Sequence, residues 1–350
     1  MSSDKEMGLL LAAALKGIWR DEPPRLEISD QEFIEIIPLL LGSGVAALSW
    51  RRIRNTALEK SSATADLLNG YRLYALQNAL VENQIKEIFA SFRALRIEPI
   101  LIKGWAIGRL YPEKGLRFYG DIDLVVRPSD YETALDLIKS RKYSVDLHNG
   151  ISKLDHNPMD ELCARSQLVK LDSMDVRVLS PEDHLRLLCT HFLRDGAWNL
   201  RGLCDIAVAV ENRPEGFDWD ICLGKDKRRA DWVACAIGLA HRLLGAKVDD
   251  TPVAERAADL PRWLLPAVLK QWKRPKVADH FPQELMIKSF GNPLRAARAL
   301  LNRWPDPVRA TVMMEGRFNN YPRLPFQTGL YLWRVADFLK LLPEMFEKAR

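Results

Sequence analysis

Three aspartates in two short segments have the spacing of a metal-binding carboxylate cluster. Asp121 and Asp123 alternate with apolar residues in the sequence Gly-Asp-Ile-Asp-Leu, and Asp146 lies between Val145 and Leu147. Side chains at positions i and i+2 of a strand point to the same face of a sheet, so two carboxylates are expected side by side. Like charges at this spacing repel each other unless a cation lies between them. We therefore predict that Asp121, Asp123 and Asp146 bind Mg²⁺, or Mn²⁺, through hard oxygen ligands.

Acids on neighbouring strands favour a reaction at phosphorus. Three carboxylates can hold two metal ions, one of which binds a triphosphate while the other lowers the pKa of an attacking hydroxyl. Asp146 would then help to remove the proton of that hydroxyl. Nearby Asp155 competes with it as the third acid. An Asp-x-Asp pattern also occurs in turns and at surfaces, and Asp146 is also compatible with an exposed carboxylate on an edge strand.

Four further residues are candidates for binding phosphate. Lys103 and Gly104 lie between a predicted strand and a predicted helix. Glycine permits close approach of the backbone to a phosphate, and the helix that follows offers free N–H groups. Arg117 could bind phosphate oxygens through two hydrogen bonds, and His148 lies close enough in sequence to Asp146 to reach the same site. The alternatives are a tight turn at Gly104, surface salt bridges for the two cations and a structural role for His148.

Residues 97–148 have the pattern strand, helix, strand, helix, strand. Residues 97–102 form a short β-rich run, and residues 120–126 alternate at their start as a strand with one buried face does. Residues 143–148 are a third strand candidate, and residues 169–179 are predicted as a further strand or hairpin. This order predicts a compact α/β unit that brings the acids together.

Helix signals dominate the rest of the chain. A Ser-x-x-Glu capping box at residues 29–32 predicts a helix start, and a second at residues 129–132 predicts a helix to about Arg141. An apolar stripe with three- and four-residue steps predicts a long helix over residues 63–95. Ser180 followed by proline predicts another helix start. On two later helices, His191 and Asp205 are predicted to hydrogen-bond and hold the helical part against the α/β unit, and the alternative is a role in catalysis.

Composition narrows the class of protein. The chain has 350 residues, of which 47% are hydrophobic and 28% charged, as in ordinary globular proteins. Its longest apolar runs are too short to span a bilayer, and acidic Asp4 and Glu6 precede the first of them, so we predict neither a membrane span nor a signal peptide. The five cysteines include no Cys-x-x-Cys pair, which favours free thiols in the cytoplasm.

Several other activities lack their motifs. The sequence has no Gly-x-Ser-x-Gly, no Gly-x₄-Gly-Lys-[Ser/Thr], no Gly-x-Gly-x-x-Gly and no His-Glu-x-x-His. The net charge of +5 suits a protein that handles phosphorylated ligands. The basic runs at residues 225–229 and 273–276 could contact nucleic acid, or they could be solvated helix ends and loops.

Three segments together resemble a known group of proteins. They are LIKGWAIGRLYPEKGLRFYGDIDLVV, the VDLH at residues 145–148, and LSPEDHLRLLCTHFLRDGAWNLRGLCDIAVAV. This sequence resembles a family of bacterial nucleotidyltransferases within the polymerase-β-like superfamily, over about residues 85–210. The resemblance implies the fold, metal-dependent nucleotidyl transfer and the residue roles given above. The superfamily usually has Ser or Gly after the glycine of the turn, whereas here Gly104 is followed by Trp105.

The expected fold class is α/β (α+β). We predict a helical N-terminal segment over residues 1–95, a small mixed-sheet nucleotidyltransferase core over residues 96–179 and a mostly helical C-terminal lobe over residues 180–350. The cleft between the lobes should hold the nucleotide.

The expected reaction transfers a nucleoside monophosphate from a nucleoside triphosphate, such as ATP, to an acceptor, with release of pyrophosphate. A small-molecule acceptor is favoured over RNA or protein. One alternative is a nucleotide-binding regulatory protein without catalytic activity, which Trp105 would allow. The other is a toxin-like enzyme that modifies RNA or protein, in which the two basic runs would bind the target.

Overall fold

A five-stranded mixed sheet lies at the centre of the predicted α/β unit. The computed structural model describes residues 4–151, 159–272 and 304–348, so Asp155 and the basic run at residues 273–276 lie outside the described residues. The strands are β1 (Ile100–Ile102), β2 (Ile122–Val126), β3 (Val145–Asn149), β4 (Gln167–Leu171) and β5 (Met174–Val178).

The strands are hydrogen-bonded in the order β3-β2-β1-β5-β4. The pairs β1–β2 and β4–β5 are antiparallel, whereas β1–β5 and β2–β3 are parallel. The predicted mixed sheet is therefore confirmed, and the predicted strand or hairpin over residues 169–179 is a hairpin.

Helices surround the sheet on both faces. They are α1 (Asp4–Leu15), α2 (Asp30–Gly42), α3 (Ala46–Ile53), α4 (Ala65–Ala94), α5 (Gly104–Gly108), α6 (Tyr131–Arg141), α7 (Met159–Arg165), α8 (Pro181–Arg194), α9 (Leu200–Glu211), α10 (Trp219–Leu223), α11 (Lys227–Leu244), α12 (Ala254–Ala258), α13 (Leu264–Trp272), α14 (Pro307–Met313) and α15 (Leu324–Lys348). Among the described helices, none combines the length and apolarity that crossing a membrane requires.

Local sequence signals explain where α2 and α8 begin. Ser29 and Glu32 form the predicted capping box at the start of α2, and Ser180 accepts a hydrogen bond from the backbone N–H of Asp183 at the start of α8. The predicted capping box at residues 129–132 is wrong. Residues 128–130 form a 3₁₀ turn, and the Ser129 hydroxyl donates to the Asp130 carboxylate instead of capping α6. Helix α6 still ends at Arg141 as predicted.

The two faces of the sheet carry different cores. Leu101 and Leu124 point to the face that packs against α4 and α6, with Phe89 of α4 fully buried there. Ile102 and Val125 point to the opposite face, which α7 and α8 cover. Because side chains alternate along a strand, the residue between Ile122 and Leu124 points to this second face.

A third and larger core joins the two ends of the chain. It contains residues of the N-terminal helices α1 to α3 together with residues of α8, α9, α11 and α13. The segments 1–95 and 180–350 therefore share buried surface. The division into three domains stays a prediction.

Candidate functional site

Two of the predicted acids meet on neighbouring strands. The parallel pairing of β2 with β3 places Asp123 opposite Asp146. His148, two residues further along β3, points to the same face. Its Nε2 lies 3.1 Å from Asp123 Oδ1 and 3.4 Å from Asp146 Oδ2. One ligand atom from each of the three residues lies within 4.8 Å of the others, and we name this group the Asp-Asp-His cluster.

Solvent exposure increases across the cluster. The side chain of Asp123 is 3% exposed, that of His148 31% and that of Asp146 62%. One carboxylate therefore lies at the base of the cluster against the sheet, while the other lies at its rim. A ligand can approach from the side of Asp146.

Lys103 contacts the buried end of the cluster. Its Nζ lies 2.7 Å from Asp123 Oδ1, the oxygen that His148 also contacts. Burial alone would raise the pKa of Asp123, but the hydrogen bond from His148 and the charge and hydrogen bond of Lys103 outweigh burial and lower it. Asp123 is thus ionised at neutral pH, as a metal ligand must be.

The turn that carries Lys103 has an unusual backbone. Lys103 has φ 54° and ψ −139°, and the following Gly104 has φ 31°. Non-glycine residues with positive φ are uncommon, and such strain often accompanies a functional site. A Cβ on Gly104 would lie 3.4 Å from the backbone oxygen of Asp121, so this turn packs closely on the start of β2. Phosphate binding by Lys103 and Gly104 stays a prediction.

Asp121 differs from its predicted partners. It precedes the first residue of β2 and is exposed. The Asp-Asp-His cluster contains the other two predicted acids and His148, but it does not contain Asp121. Metal binding by Asp121 stays a prediction.

Arg117 forms a buried ion pair with Asp205. Its Nη2 lies 2.7 Å from Asp205 Oδ2, its Nε donates to Asp205 Oδ1 at 3.2 Å, and its Nη1 donates to the backbone oxygen of Phe118 at 2.8 Å. The hydroxyl of Tyr111 also donates to Asp205 Oδ1, at 2.8 Å. These contacts favour a structural role, and phosphate binding by Arg117 stays a prediction.

Asp205 holds α9 against the sheet segment, but not with the predicted partner. Arg117 and Tyr111 make this connection, whereas His191 lies 3.5 Å from Asp195 at the end of its own helix. The predicted hydrogen bond between His191 and Asp205 is therefore wrong. The role predicted for Asp205 is confirmed.

Sequence reasoning missed two residues on the helical side of the site. His184 of α8 is 6% exposed, and burial together with the charge of Arg109 lowers its pKa to about 4. Arg201 of α9 donates from Nη1 to the backbone oxygen of Phe118 at 3.3 Å. Both residues lie in the segment 179–210 that resembles the family, but its pattern assigns them no role, so only the folded arrangement reveals their surroundings.

A cavity lies on the other face of the sheet from the cluster. Its volume is about 170 Å³, and α4, α5 and the β4–β5 turn enclose it. Its lining includes Trp105, Arg109 and Tyr119 but no residue of the Asp-Asp-His cluster. Nucleotide binding in a cleft between the lobes stays a prediction.

The donor set of the cluster fits a small divalent cation. Two carboxylates and one imidazole are ligands that Mg²⁺ or Mn²⁺ can share, with water or phosphate completing the shell. Ligands about 2.1 Å from an octahedral ion lie about 3 Å from each other. The separations of 3.1 and 3.4 Å from His148 Nε2 to the two carboxylates are close to that value.

Comparison with known proteins identifies the family. A family model described as uncharacterised nucleotidyltransferase matches residues 30–144 and 137–245, which together make up more than half of the chain. The chain belongs to this nucleotidyltransferase family. Searches of curated proteins and of solved structures each return no match. The residues that the family model matches include Lys103, the whole Asp-Asp-His cluster and Asp205 of the nucleotidyltransferase.

Proposed function

We propose that this nucleotidyltransferase transfers a nucleoside monophosphate from a nucleoside triphosphate to an acceptor and releases pyrophosphate. The observation that carries the proposal is the in-register pairing of Asp123 with Asp146, with His148 in contact with both. These residues would hold Mg²⁺ or Mn²⁺, and Asp121 would join them when the nucleotide binds. A bound ion would neutralise phosphate charge and lower the pKa of an attacking hydroxyl.

The residues of the chain have separate tasks in this reaction. Asp123 is ionised and fixed from two sides by Lys103 and His148, so the base of the site is preorganised. Lys103 also provides a positive charge that phosphate oxygens can approach. Asp146 lies at the exposed rim, where its carboxylate can accept the proton of an incoming acceptor hydroxyl.

The position of Trp105 supports an active enzyme over an inactive nucleotide-binding protein. Trp105 is 6% exposed and packs in the core between the sheet and α4. That core lies on the face opposite the Asp-Asp-His cluster. The large side chain after Gly104 therefore leaves the approach to Asp123 free.

The basic run at residues 225–229 supports a small-molecule acceptor over RNA. Arg228 and Arg229 are both within ion-pair distance of Asp226 and Glu315. Side chains that are paired in this way offer less charge to an RNA backbone.

The five cysteines are free thiols, which supports a reaction in the cytoplasm.

Label transfer tests this proposal directly. The protein is incubated with each of four nucleoside triphosphates labelled on the α-phosphate, with Mg²⁺ or Mn²⁺, and with pools of small molecules, RNA or protein. We expect wild type to transfer label to a small-molecule pool and Asp123→Asn to lose transfer. Asp175→Asn is the matched control, because Asp175 lies on strand β5 of the same sheet and pairs with Lys170, away from the cluster.

The result can contradict the proposal in two ways. If wild type neither transfers label nor releases pyrophosphate with any of the four nucleotides, the proposed nucleotidyl transfer is wrong. Equal rates for wild type and Asp123→Asn would remove the Asp-Asp-His cluster from the reaction.

A further inference from the structure

Two guanidinium groups converge just before the start of β2. Arg117 Nη1 and Arg201 Nη1 donate to the same backbone oxygen, that of Phe118, at 2.8 and 3.3 Å. Arg117 belongs to the segment that leads into β2, whereas Arg201 comes from α9. Phe118 is three residues from Asp121, and both guanidinium groups lie close enough to Asp121 for its charge to raise their pKa.

Only one of these two charges is neutralised by an adjacent acid. Asp205 pairs with Arg117 through both carboxylate oxygens. Arg201 forms no ion pair within the described part of the chain, and its buried Nε has no hydrogen-bond partner there. Burial and the neighbouring Arg117 lower the pKa of Arg201, and the charges of Asp205 and Asp121 partly offset them. Arg201 is therefore a cation without a direct ion-pair partner among the described residues, and one of its donors is unsatisfied.

The side chain of Arg201 is held in place by apolar and backbone contacts. Its guanidinium lies 5.5 Å from the centroid of the Phe118 ring, and Tyr74 stacks on that ring at 4.6 Å. A Cβ on Gly44 would lie 3.3 Å from Arg201 Nη1, so Gly44 leaves just enough room for the guanidinium. Arg201 is half-buried, and a cation that is held in this way without an ion-pair partner has already lost part of its hydration and conformational freedom, which favours binding of an anion.

We propose that Arg201 binds the phosphate oxygens of the nucleoside triphosphate and that Arg117 serves to position the segment on which Arg201 rests. This inference rests on the proposed function. A guanidinium can form two parallel hydrogen bonds to a phosphate, and this geometry is stronger and more specific than a single contact. The helical lobe thus contributes a ligand-binding side chain to a site whose metal ligands come from the sheet.

Binding of tripolyphosphate tests the inference, because this probe has the phosphate tail of any nucleoside triphosphate and no base. Isothermal titration calorimetry with Mg²⁺ or Mn²⁺ present compares wild type with Arg201→Gln. We expect Arg201→Gln to bind tripolyphosphate about 10- to 100-fold more weakly, since a charge-assisted contact is lost. Arg213→Gln is the matched control, because Arg213 lies just beyond the other end of α9 and pairs with Asp250.

Two further comparisons separate the possible results. Arg201→Lys keeps the charge but cannot form the paired hydrogen bonds, so it should bind tripolyphosphate about tenfold more weakly than wild type. If Arg201→Gln does not fold, the affinity of Arg201→Lys tests the role of Arg201. Wild-type affinity in either folded variant would overturn the role of Arg201 and leave the proposed function intact. Failure of wild type itself to bind tripolyphosphate would overturn both.

Discussion

His148 adds an imidazole nitrogen to a site that otherwise offers carboxylate oxygens. Mg²⁺ prefers oxygen ligands, whereas Mn²⁺ accepts nitrogen more readily. We therefore expect His148→Ala to lower the affinity for Mn²⁺ more than the affinity for Mg²⁺. Loss of a partner that only orients a metal ligand costs about 10- to 100-fold in affinity, so loss of a direct ligand should cost at least tenfold.

Electron paramagnetic resonance of free Mn²⁺ measures the Mn²⁺ affinity of each variant. The Mg²⁺ affinity follows from competition of Mg²⁺ with bound Mn²⁺. Asp175→Ala should bind Mn²⁺ as wild type does. Unchanged Mn²⁺ affinity in His148→Ala would show that His148 only hydrogen-bonds to the two carboxylates.

The buried imidazole of His184 predicts a pH dependence of stability. Its pKa is lowered from 6.5 to about 4, first by burial and then by the charge of Arg109, with Asp205 opposing and Arg117 and Lys103 adding to the effect. Between these two pH values the unfolded chain binds a proton that the folded protein does not. The free energy of unfolding should therefore fall by about 3 kcal/mol as the pH falls from 6.5 to 4, and this contribution should level off below pH 4.

Urea unfolding of wild type and His184→Leu at pH 7 and pH 4.5 measures this contribution. Other groups titrate in the same range, so the informative quantity is the difference between the two proteins. His184→Leu should lose less stability than wild type on acidification. If acidification lowers the free energy of unfolding equally in the two proteins, folding does not lower the pKa of His184.

Strand alternation is a local property, and it predicts that Asp121 and Asp123 point to one face. The meeting of Asp123 with Asp146 depends in addition on the pairing of β2 with β3, which alternation does not specify. The same rule did not show that β2 begins one residue after Asp121, since the end of a strand depends on its pairing with β1 and β3. Nor could spacing show that Arg117 pairs with Asp205, 88 residues further along the chain. Partners so far apart in sequence are chosen by the folded arrangement of α9.

At the scale of secondary structure, local sequence signals predict where a helix starts or ends better than they predict which strands lie side by side. The serine caps at Ser29 and Ser180 act through backbone groups within three residues, and both form as predicted. The box at residues 129–132 failed because the proline at position 128 begins a 3₁₀ turn that shifts the helix start. The order β3-β2-β1-β5-β4 brings β5 beside β1 across more than seventy residues, which no local pattern specifies.

The buried pair of Arg117 and Asp205 connects the segment before β2 to α9. Replacement of Asp205 by Asn would leave the guanidinium buried without its counter-charge, and such a loss costs about 3–5 kcal/mol. We expect Asp205→Asn to lower the free energy of unfolding by an amount in this range. Chemical denaturation followed by circular dichroism provides the measurement.

A double variant distinguishes the cost of an unpaired charge from the value of the pair. Arg117→Met combined with Asp205→Leu removes both charges and should be more stable than Asp205→Asn alone. The same variant should bind tripolyphosphate less well than wild type, since the support for Arg201 is altered. If the losses of unfolding free energy caused by Arg117→Met alone and by Asp205→Leu alone add up to the loss in the double variant, the ion pair does not couple these residues.

At the scale of the whole molecule, the two ends of the chain are packed into one core. The side chain of Arg20, beyond α1, pairs with Glu211 at the end of α9. The backbone N–H of Gly17 donates to the oxygen of Leu244 at the end of α11, at 3.0 Å. The N-terminal helices therefore support the lobe that carries Arg201, although they contribute no residue to the Asp-Asp-His cluster.

Two glycines in helices provide a matched test of this shared core. A Cβ on Gly8 of α1 would lie 2.9 Å from both the Cβ and the backbone oxygen of Leu269 in α13, whereas a Cβ on Gly42 at the end of α2 would meet nothing within 4 Å. Alanine gains up to about 1 kcal/mol over glycine in a helix, but overpacking costs about 1–3 kcal/mol. Gly42→Ala should therefore raise the free energy of unfolding, and Gly8→Ala should lower it by up to about 2 kcal/mol.

Urea unfolding followed by both tryptophan fluorescence and far-ultraviolet circular dichroism measures the two changes. If the ends of the chain form one cooperative core, Gly8→Ala should shift both signals together, because α1 cannot move away from α13 without exposing the apolar residues around it. Separate transitions, with only part of the helical signal affected, would mean that α1 unfolds alone. The lobe that carries Arg201 would then be stable without the N-terminal helices.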